Sequence, residues 1–190
     1  MTDSLLDVAL LAYGGPERSE QIVPFLERLM GRAPDPKTVT AVQERYALIG
    51  GASPLPGTTV RQAAALQATL TAKLPFPVRV RHGFLYTEPS VASCVRGLDA
   101  HQVLALPMSP FSSRLTSGRY QAQLTAAEDP ASGGRGRDIP LLEGWHAGRG
   151  FVQTISRRVA AALDGRDANE WAVLFTAHSV PSETIAEGDP

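Results

Sequence analysis

Val8-Ala9-Leu10-Leu11-Ala12, followed by Tyr13-Gly14-Gly15-Pro16, is the stretch on which the fold turns. The run is apolar throughout and has no polar face. It suits a strand covered on both sides, the kind found in parallel sheets flanked by helices. Gly14-Gly15-Pro16 breaks it. Downstream the chain alternates between helical and extended patterns. Glu17 to Met30 reads as a helix, with Ile22, Phe25, Leu26 and Leu29 on one face. Pro34-Asp35-Pro36 marks a turn, and Pro36 suits the first position of a helix through Val39, Val42 and Tyr46. Gly50-Gly51-Ala52-Ser53-Pro54 reads as a loop, and Thr58 to Leu74 as a long amphipathic helix stopped by Pro75 and Pro77. Val78 to Leu85 is an expected strand, Pro89 to Leu98 a short helix, and Val103-Leu104-Ala105-Leu106-Pro107 another buried strand.

Arg119 to Ala127 continues as helix, and Asp129 to Asp138 is a Gly-rich, charged surface loop. Leu141-Leu142 reads as a fourth strand. Phe151 to Leu163 reads as a helix with Ile155, Val159 and Ala162 facing inward, and Ala172-Val173-Leu174-Phe175 as one more strand. The expected fold is therefore α/β: a doubly wound, four-stranded parallel sheet with right-handed crossovers, flanked by helices, plus a strand at Ala172 that starts a second unit. The boundary falls after residue 165. Residues 1–165 form the first domain and 166–190 start the second unit.

Composition excludes more than it selects. A formal net charge of −1 over 190 residues carries no nucleic-acid footprint. No apolar stretch reaches the roughly 18 residues of a transmembrane helix. Met1-Thr2-Asp3-Ser4 has no basic flank and does not read as a signal peptide. A single cysteine, Cys94, excludes an internal disulfide and a CxxC metal site. Neither a Walker A motif nor GxGxxG is present. A cytoplasmic protein is the expectation.

Two residues stand where chemistry is expected. In open α/β sheets, ligands bind outside the carboxyl ends of the strands. His178 follows the run Leu174-Phe175-Thr176-Ala177 and precedes Ser179-Val180-Pro181. An imidazole titrates near pH 6.5 and can hold a metal or accept a proton; the plainer reading is a loop cap. Tyr13 stands at the carboxyl end of the first strand, where the plainer reading is an aromatic ring packed on the glycine turn.

Three ordered blocks carry a family resemblance. Leu174 to Pro181, with Glu187-Gly188-Asp189-Pro190, resembles the signature of the ferrochelatases, which insert ferrous iron into a porphyrin. That signature runs through a small residue, Ser or Thr, Ala, His, Ser or Gly, an aliphatic residue and Pro to Gly-Asp-Pro-Tyr. Leu10-Leu11-Ala12-Tyr13-Gly14-Gly15-Pro16-Glu17 resembles the family's first strand and turn, and Glu44-Arg45-Tyr46-Ala47-Leu48-Ile49-Gly50-Gly51-Ala52-Ser53-Pro54-Leu55 its "RY..IGG.SPL" loop.

The resemblance implies a chelatase-like fold and a metal-inserting lyase of haem biosynthesis. Iron and porphyrin would be its substrates, with no prosthetic group. It implies His178 as catalytic base and metal contact. Ala12-Tyr13-Gly14 is similar to the branch that uses coproporphyrin III rather than protoporphyrin IX, where a Tyr faces the iron opposite the His. Arg45, Tyr46, Ser53 and Tyr120 would hold the macrocycle, and Arg32 is a weaker rim candidate. An Arg fork suits a propionate, although Arg45 also reads as a helix-end charge. The alternatives are a chelatase for another metal or tetrapyrrole and a non-catalytic porphyrin or haem carrier. The resemblance leaves room for a haem-accepting partner protein and does not fix the oligomeric state.

Departures from the pattern matter as much. Phe111 and Tyr86 stand where family members often carry His, and the Arg often seen before the Gly-Arg pair is Leu29 or Met30. His82, His101 and His146 fall on no motif position. Family members resemble two similar domains, and the acidic partner of the histidine comes from the later half. The expectation is a chain cut from a longer product and inactive alone; a half-length chain acting as a homodimer is the other reading.

Overall fold

The computed structural model describes residues 5–177 and 179–189. Strand β1 (Leu6–Ala12) is the centre of a three-stranded parallel sheet, between β2 (Val78–Phe84) and β3 (Gln102–Pro107). Leu6 lies opposite Val78 and Gln102, and Ala12 opposite Phe84. Helices α1 (Ile22–Met30), α2 (Pro36–Ala47) and α3 (Leu55–Lys73) join β1 to β2, and α4 (Val91–Arg96) joins β2 to β3. After β3 come α5 (Ser117–Glu128), α6 (Arg149–Leu163) and α7 (Ser182–Ala186).

The apolar run of β1 is buried from Val8 to Ala12. Successive strand residues point to opposite faces. Ala9 and Leu11 enter a cluster with Ile22, Phe25 and Leu26 of α1, Val91 and Val95 of α4, and Leu124 of α5. Val8 and Leu10 point the other way, and α3, which packs on β1 and β2, buries Thr59 and Ala63. Both faces are covered, which is why neither needs polar residues.

Local chemistry sets the ends of the helices. Asp35 caps α2, accepting from the Thr38 N–H at 2.9 Å, and Pro36 supplies a preset first residue. Ser90 caps α4 through the Ser93 N–H at 3.2 Å. The helix expected from Glu17 begins as a 3-10 turn (Ser19–Gln21) and becomes α-helical only at Ile22. Pro24 lacks an N–H and fits only the first turn, so the α-helix cannot begin much earlier. No described helix is long and apolar enough to cross a membrane.

Three expectations are corrected. The fourth strand is a single bridge between Leu141 and Ala105. Pro140 accepts from the Ala105 N–H and the Leu142 N–H donates to the Ala105 carbonyl, but Pro140 has no N–H to extend the ladder. Gly144, at φ 68°, then turns the chain into the 3-10 turn Trp145–Ala147. Helix α6 buries none of its residues; Val152 and Ile155 of its apolar stripe are exposed, because no described element covers that face. Residues 171–177 form no strand, and Leu174 and Phe175 are 85% and 79% exposed. A strand exists only by pairing with a neighbour, and the described residues offer it none.

Two buried carboxylates hold the amino-terminal edge of the sheet. Asp7, fully buried on β1, accepts from Arg79 Nε and Nη2 at 2.6 Å each and from the Ala100 N–H at 2.9 Å. It thereby ties both neighbouring strands to the central one. Arg79 also bonds Asp99. Glu128, at the end of α5, accepts from the Arg135 and Arg137 N–H groups and from the Arg137 guanidinium. Burial pushes its pKa up, but the Arg137 and Arg135 hydrogen bonds outweigh that and hold it below the ordinary carboxylate range.

Asp7→Ala should cost about 3–5 kcal/mol in urea unfolding, because it leaves an ordered guanidinium and a buried N–H without their partner. Glu128→Gln should behave differently with pH. A carboxylate with a lowered folded pKa stabilises above its unfolded value, about 4.3, and loses that contribution as pH falls through the folded value. The substitution should therefore cost about 2 kcal/mol at pH 7 and progressively less below about pH 4. Urea melts across that range check it, and a cost that does not change with pH would contradict this account.

Candidate functional site

The three strands are parallel, so their carboxyl ends share one edge, and the candidate site is built there. At that edge the chain leaves β1 through Tyr13-Gly14-Gly15-Pro16, and two loops close on the glycines from different sides. A Cβ on Gly14 would stand 3.0 Å from Phe84 Cβ and closer still to the Thr87 hydroxyl. A Cβ on Gly15 would stand 2.7 Å from Ser53 Cβ. Gly14 also has φ 85°, a conformation that L side chains rarely adopt. The Ser53 N–H donates to the Pro16 carbonyl at 2.7 Å, and the Tyr86 N–H to the Tyr13 carbonyl at 3.3 Å. The absence of side chains here lets the 50–54 loop and the segment after β2 meet beside Tyr13.

The chain has four tyrosines, and all four converge on this edge. Tyr13, 39% exposed, lies against Tyr86 with ring centroids 4.6 Å apart and planes tilted by 60°. The edge of Phe25 backs Tyr86 at 6.2 Å. Arg119 Nη1 donates to the Tyr86 hydroxyl. Tyr120, from the next position of α5, is only 3% exposed. The Tyr46 hydroxyl faces Gly15, 3.8 Å from where a Cβ would stand.

Their titration reflects this crowding. Burial, then Tyr86, push the Tyr13 phenol up; the Arg119 charge opposes them, and Tyr46 adds a smaller upward push. Burial raises Tyr120 furthest, with Tyr86 and Tyr13 adding to it. Burial also raises Tyr46, opposed by the neighbouring Ser53 hydroxyl. Tyr13, Tyr46 and Tyr120 therefore stay neutral through the physiological range and can offer oxygen lone pairs or O–H donors.

Beside the tyrosines, between α1 and α2, lies an open cavity of about 380 Å³ lined by Phe25, Leu26, Leu29, Val42, Ile49 and Ser53 together with Arg45 and Tyr46. It is mostly apolar with a few polar groups at one end, as small-molecule sites tend to be. Arg45 is exposed, as a rim cation would be. Arg32 lies in the exposed turn after α1 and does not line this cavity. A larger cavity, about 950 Å³, lies between α5 and residues 136–139 on the side of Glu128, with no tyrosine or histidine in its lining. Size does not decide the site; the convergent polar groups do.

The loop after β3 forms the other flank. Phe111 is exposed and stacks on His146 at 4.9 Å, whose Nδ1 lies 3.2 Å from the Pro110 carbonyl. The Arg114 guanidinium donates to the Glu187 carboxylate and to the Glu187 carbonyl, and the Arg114 N–H donates to the Asp189 carboxylate. The Glu187-Gly188-Asp189 turn is thus anchored to this same loop. His178 itself lies outside the described residues. Among the described residues, no group of three or more His, Cys, Asp or Glu converges as a metal site. Cys94 is a packing residue, its thiol pushed up to about 12 by burial.

Sequence reasoning named Tyr13, Tyr46, Ser53 and Tyr120, and the structure brings these together. It missed Arg119 and treated Tyr86 only as a departure. The adjacency of Arg119 to Tyr120 was the available signal, but its bond to Tyr86 spans 33 positions.

A sequence model of the ferrochelatase family matches residues 7–190. The chain is 31% identical to a ferrochelatase of Herpetosiphon aurantiacus, an alignment covering 96% of this chain and 62% of that protein. It is 30% identical to a ferrochelatase of Deinococcus radiodurans over 97% of this chain and 60% of that one. A coproporphyrin III ferrochelatase of Oceanobacillus iheyensis is 25% identical over 100% of this chain and 62% of its own length. The chain thus spans about 60% of the length of the curated relatives it matches. It belongs to the ferrochelatase family.

Proposed function

We propose that this chain supplies the first domain, and the metal-facing tyrosine, of a ferrochelatase that inserts ferrous iron into coproporphyrin III. The observation that carries the reading is the convergence of Tyr13, Tyr46, Tyr86 and Tyr120 with Ser53 at the carboxyl edge of β1, in a chain of this family. Residues 166–190 begin the second domain, whose remaining strands would pair with the segment from Ala172. The site's edge, the apolar cavity beside it and the exposed Arg45 suit a flat, apolar macrocycle with acidic groups at its rim.

Insertion requires the metal to shed water and two pyrrole nitrogens to lose protons. On this reading Tyr13 presents a neutral phenol oxygen to the iron from one side of the macrocycle. His178, at the end of the segment from Ala172, takes the protons from the other side. A neutral imidazole is suited to both ligation and proton acceptance near pH 7. Arg45, Tyr46 and Ser53 bind the rim, Tyr120 supports the tyrosine pair from within the core, and Arg32 is the outermost rim cation. Coproporphyrin III carries more rim carboxylates than protoporphyrin IX, and a cationic rim favours it. The compartment proposed is the cytoplasm.

The test uses the full-length gene product with ferrous iron and either porphyrin, followed by the change in porphyrin absorbance. Coproporphyrin III should be preferred in kcat/KM by at least about tenfold, because one additional charge-assisted hydrogen bond is worth about 1.5–3 kcal/mol. His178→Ala should lower kcat by about 10²–10⁴-fold while porphyrin binding, read by fluorescence quenching, persists. Undiminished insertion in that variant would defeat the role given to His178. Tight binding with no turnover by the wild type would favour a carrier, and faster insertion of cobalt would favour a different chelatase.

A further inference from the structure

We propose that Arg119 is a positioning residue for Tyr13: its guanidinium, bonded to the Tyr86 hydroxyl, locks the Tyr86 ring, and that ring sets the direction of the Tyr13 phenol. The inference rests on the reading of Tyr13 as the group that faces the metal.

Tyr86 is held from four directions. Its N–H donates to the Tyr13 carbonyl at 3.3 Å, Phe25 meets its ring edge-on at 6.2 Å, Tyr13 lies on it at 4.6 Å, and Arg119 takes its hydroxyl. A buried ring fixed at both its backbone and its hydroxyl has no rotamer to move to. Tyr13 is in the opposite situation. It is partly exposed, and among the described residues no hydrogen bond holds its hydroxyl. Its ring lies against that of Tyr86, and offset or tilted ring pairs at this separation are worth about 0.5–1.5 kcal/mol. That is enough to bias the ring only if its partner stays still. Arg119 provides the stillness. An ionised donor to a phenol oxygen is stronger than a neutral one, and its planar fork loses little freedom in making the bond.

The alternative use of an exposed arginine at this edge is direct capture of a rim carboxylate. The two uses make different kinetic predictions. A positioning group changes kcat, whereas a group that only binds the rim changes KM.

The experiment is a set of substitutions in the full-length protein, assayed with coproporphyrin III and ferrous iron. Arg119→Gln should lower kcat by about tenfold, a modest misplacement by the standards of reacting groups, and leave KM for the porphyrin within about twofold. Tyr86→Phe should cause the same loss, and the double variant no further loss, because one bond joins the pair. In a Tyr13→Phe background Arg119→Gln should have no effect. An effect confined to KM and persisting in Tyr13→Phe would overturn the proposal in favour of direct rim binding.

A measurement that needs no turnover separates this inference from the functional reading. Ring signals of isotope-labelled tyrosine, read by NMR, should move for both Tyr86 and Tyr13 in Arg119→Gln, the Tyr13 signal being assigned by its loss in Tyr13→Phe. If the wild type inserts no metal, the functional reading falls while the ring signals still decide the coupling. A Tyr13 signal unchanged by Arg119→Gln overturns the coupling whatever the activity.

Discussion

The approach of two loops to bare backbone at Gly14 and Gly15 is the constraint on which the site depends. At most strand ends a side chain keeps neighbouring loops apart by the width of a methyl group or more. Here Ser53 and Thr87 come within van der Waals range of where no Cβ exists. The consequence is geometric. Ser53 brings the end of α2, and with it Tyr46, to one side of the central strand. Thr87 brings Tyr86 to the other side. Tyr13, immediately before the two glycines, is then flanked without contributing any packing of its own beyond its ring. Substituting either glycine would move whole loops and not one atom, because backbone and short side chains cannot yield as the end of a lysine could.

The strands were legible because their residues are extreme. Nothing polar interrupts Val8 to Ala12, so the centre of the sheet could be read directly. Asp7 was not part of that reading, although it heads the same strand and is as buried as the residues after it. A charge in a core is legible only through its partner, and Arg79 lies 72 positions away. Helix α6 shows the opposite failure. Its stripe of Ile155, Val159 and Ala162 was read as an inward face, and the periodicity is there, but periodicity says only that a helix has two faces. It does not say whether anything meets the apolar one. The run from Ala172 to Phe175 failed in the same way, since a β pattern becomes a strand only when another strand accepts its hydrogen bonds. At the site, residues contiguous with glycine turns were found. Arg119, whose meaning is a single contact with Tyr86 across the fold, was not.

On the proposed reading, the molecule separates what stabilises it from what would react. Both well-buried carboxylates, Asp7 and Glu128, lie toward the amino-terminal edge of the sheet and are saturated with arginine and backbone donors. Tyr13 follows Asp7 along the same strand by six positions, which at about 3.3 Å per residue puts roughly 20 Å between them. Across that distance the two groups have separate surroundings: Asp7 is saturated by Arg79 and the Ala100 N–H, and Tyr13 is set against a ring. Acid that protonates Glu128 weakens the fold, because its charged form is the one the arginines hold.

Neutral phenols at the reactive edge have a chemical logic on the proposed reading. Iron is cargo there and must leave with the macrocycle. A carboxylate or a phenolate would bind a divalent ion tightly and compete with the porphyrin nitrogens for it. A neutral phenol oxygen is a weak ligand, strong enough to orient the ion and too weak to retain it. On the proposed reading, burial and the neighbouring rings keep the Tyr13 phenol protonated, so that it would offer the iron a weak ligand and not a retaining one.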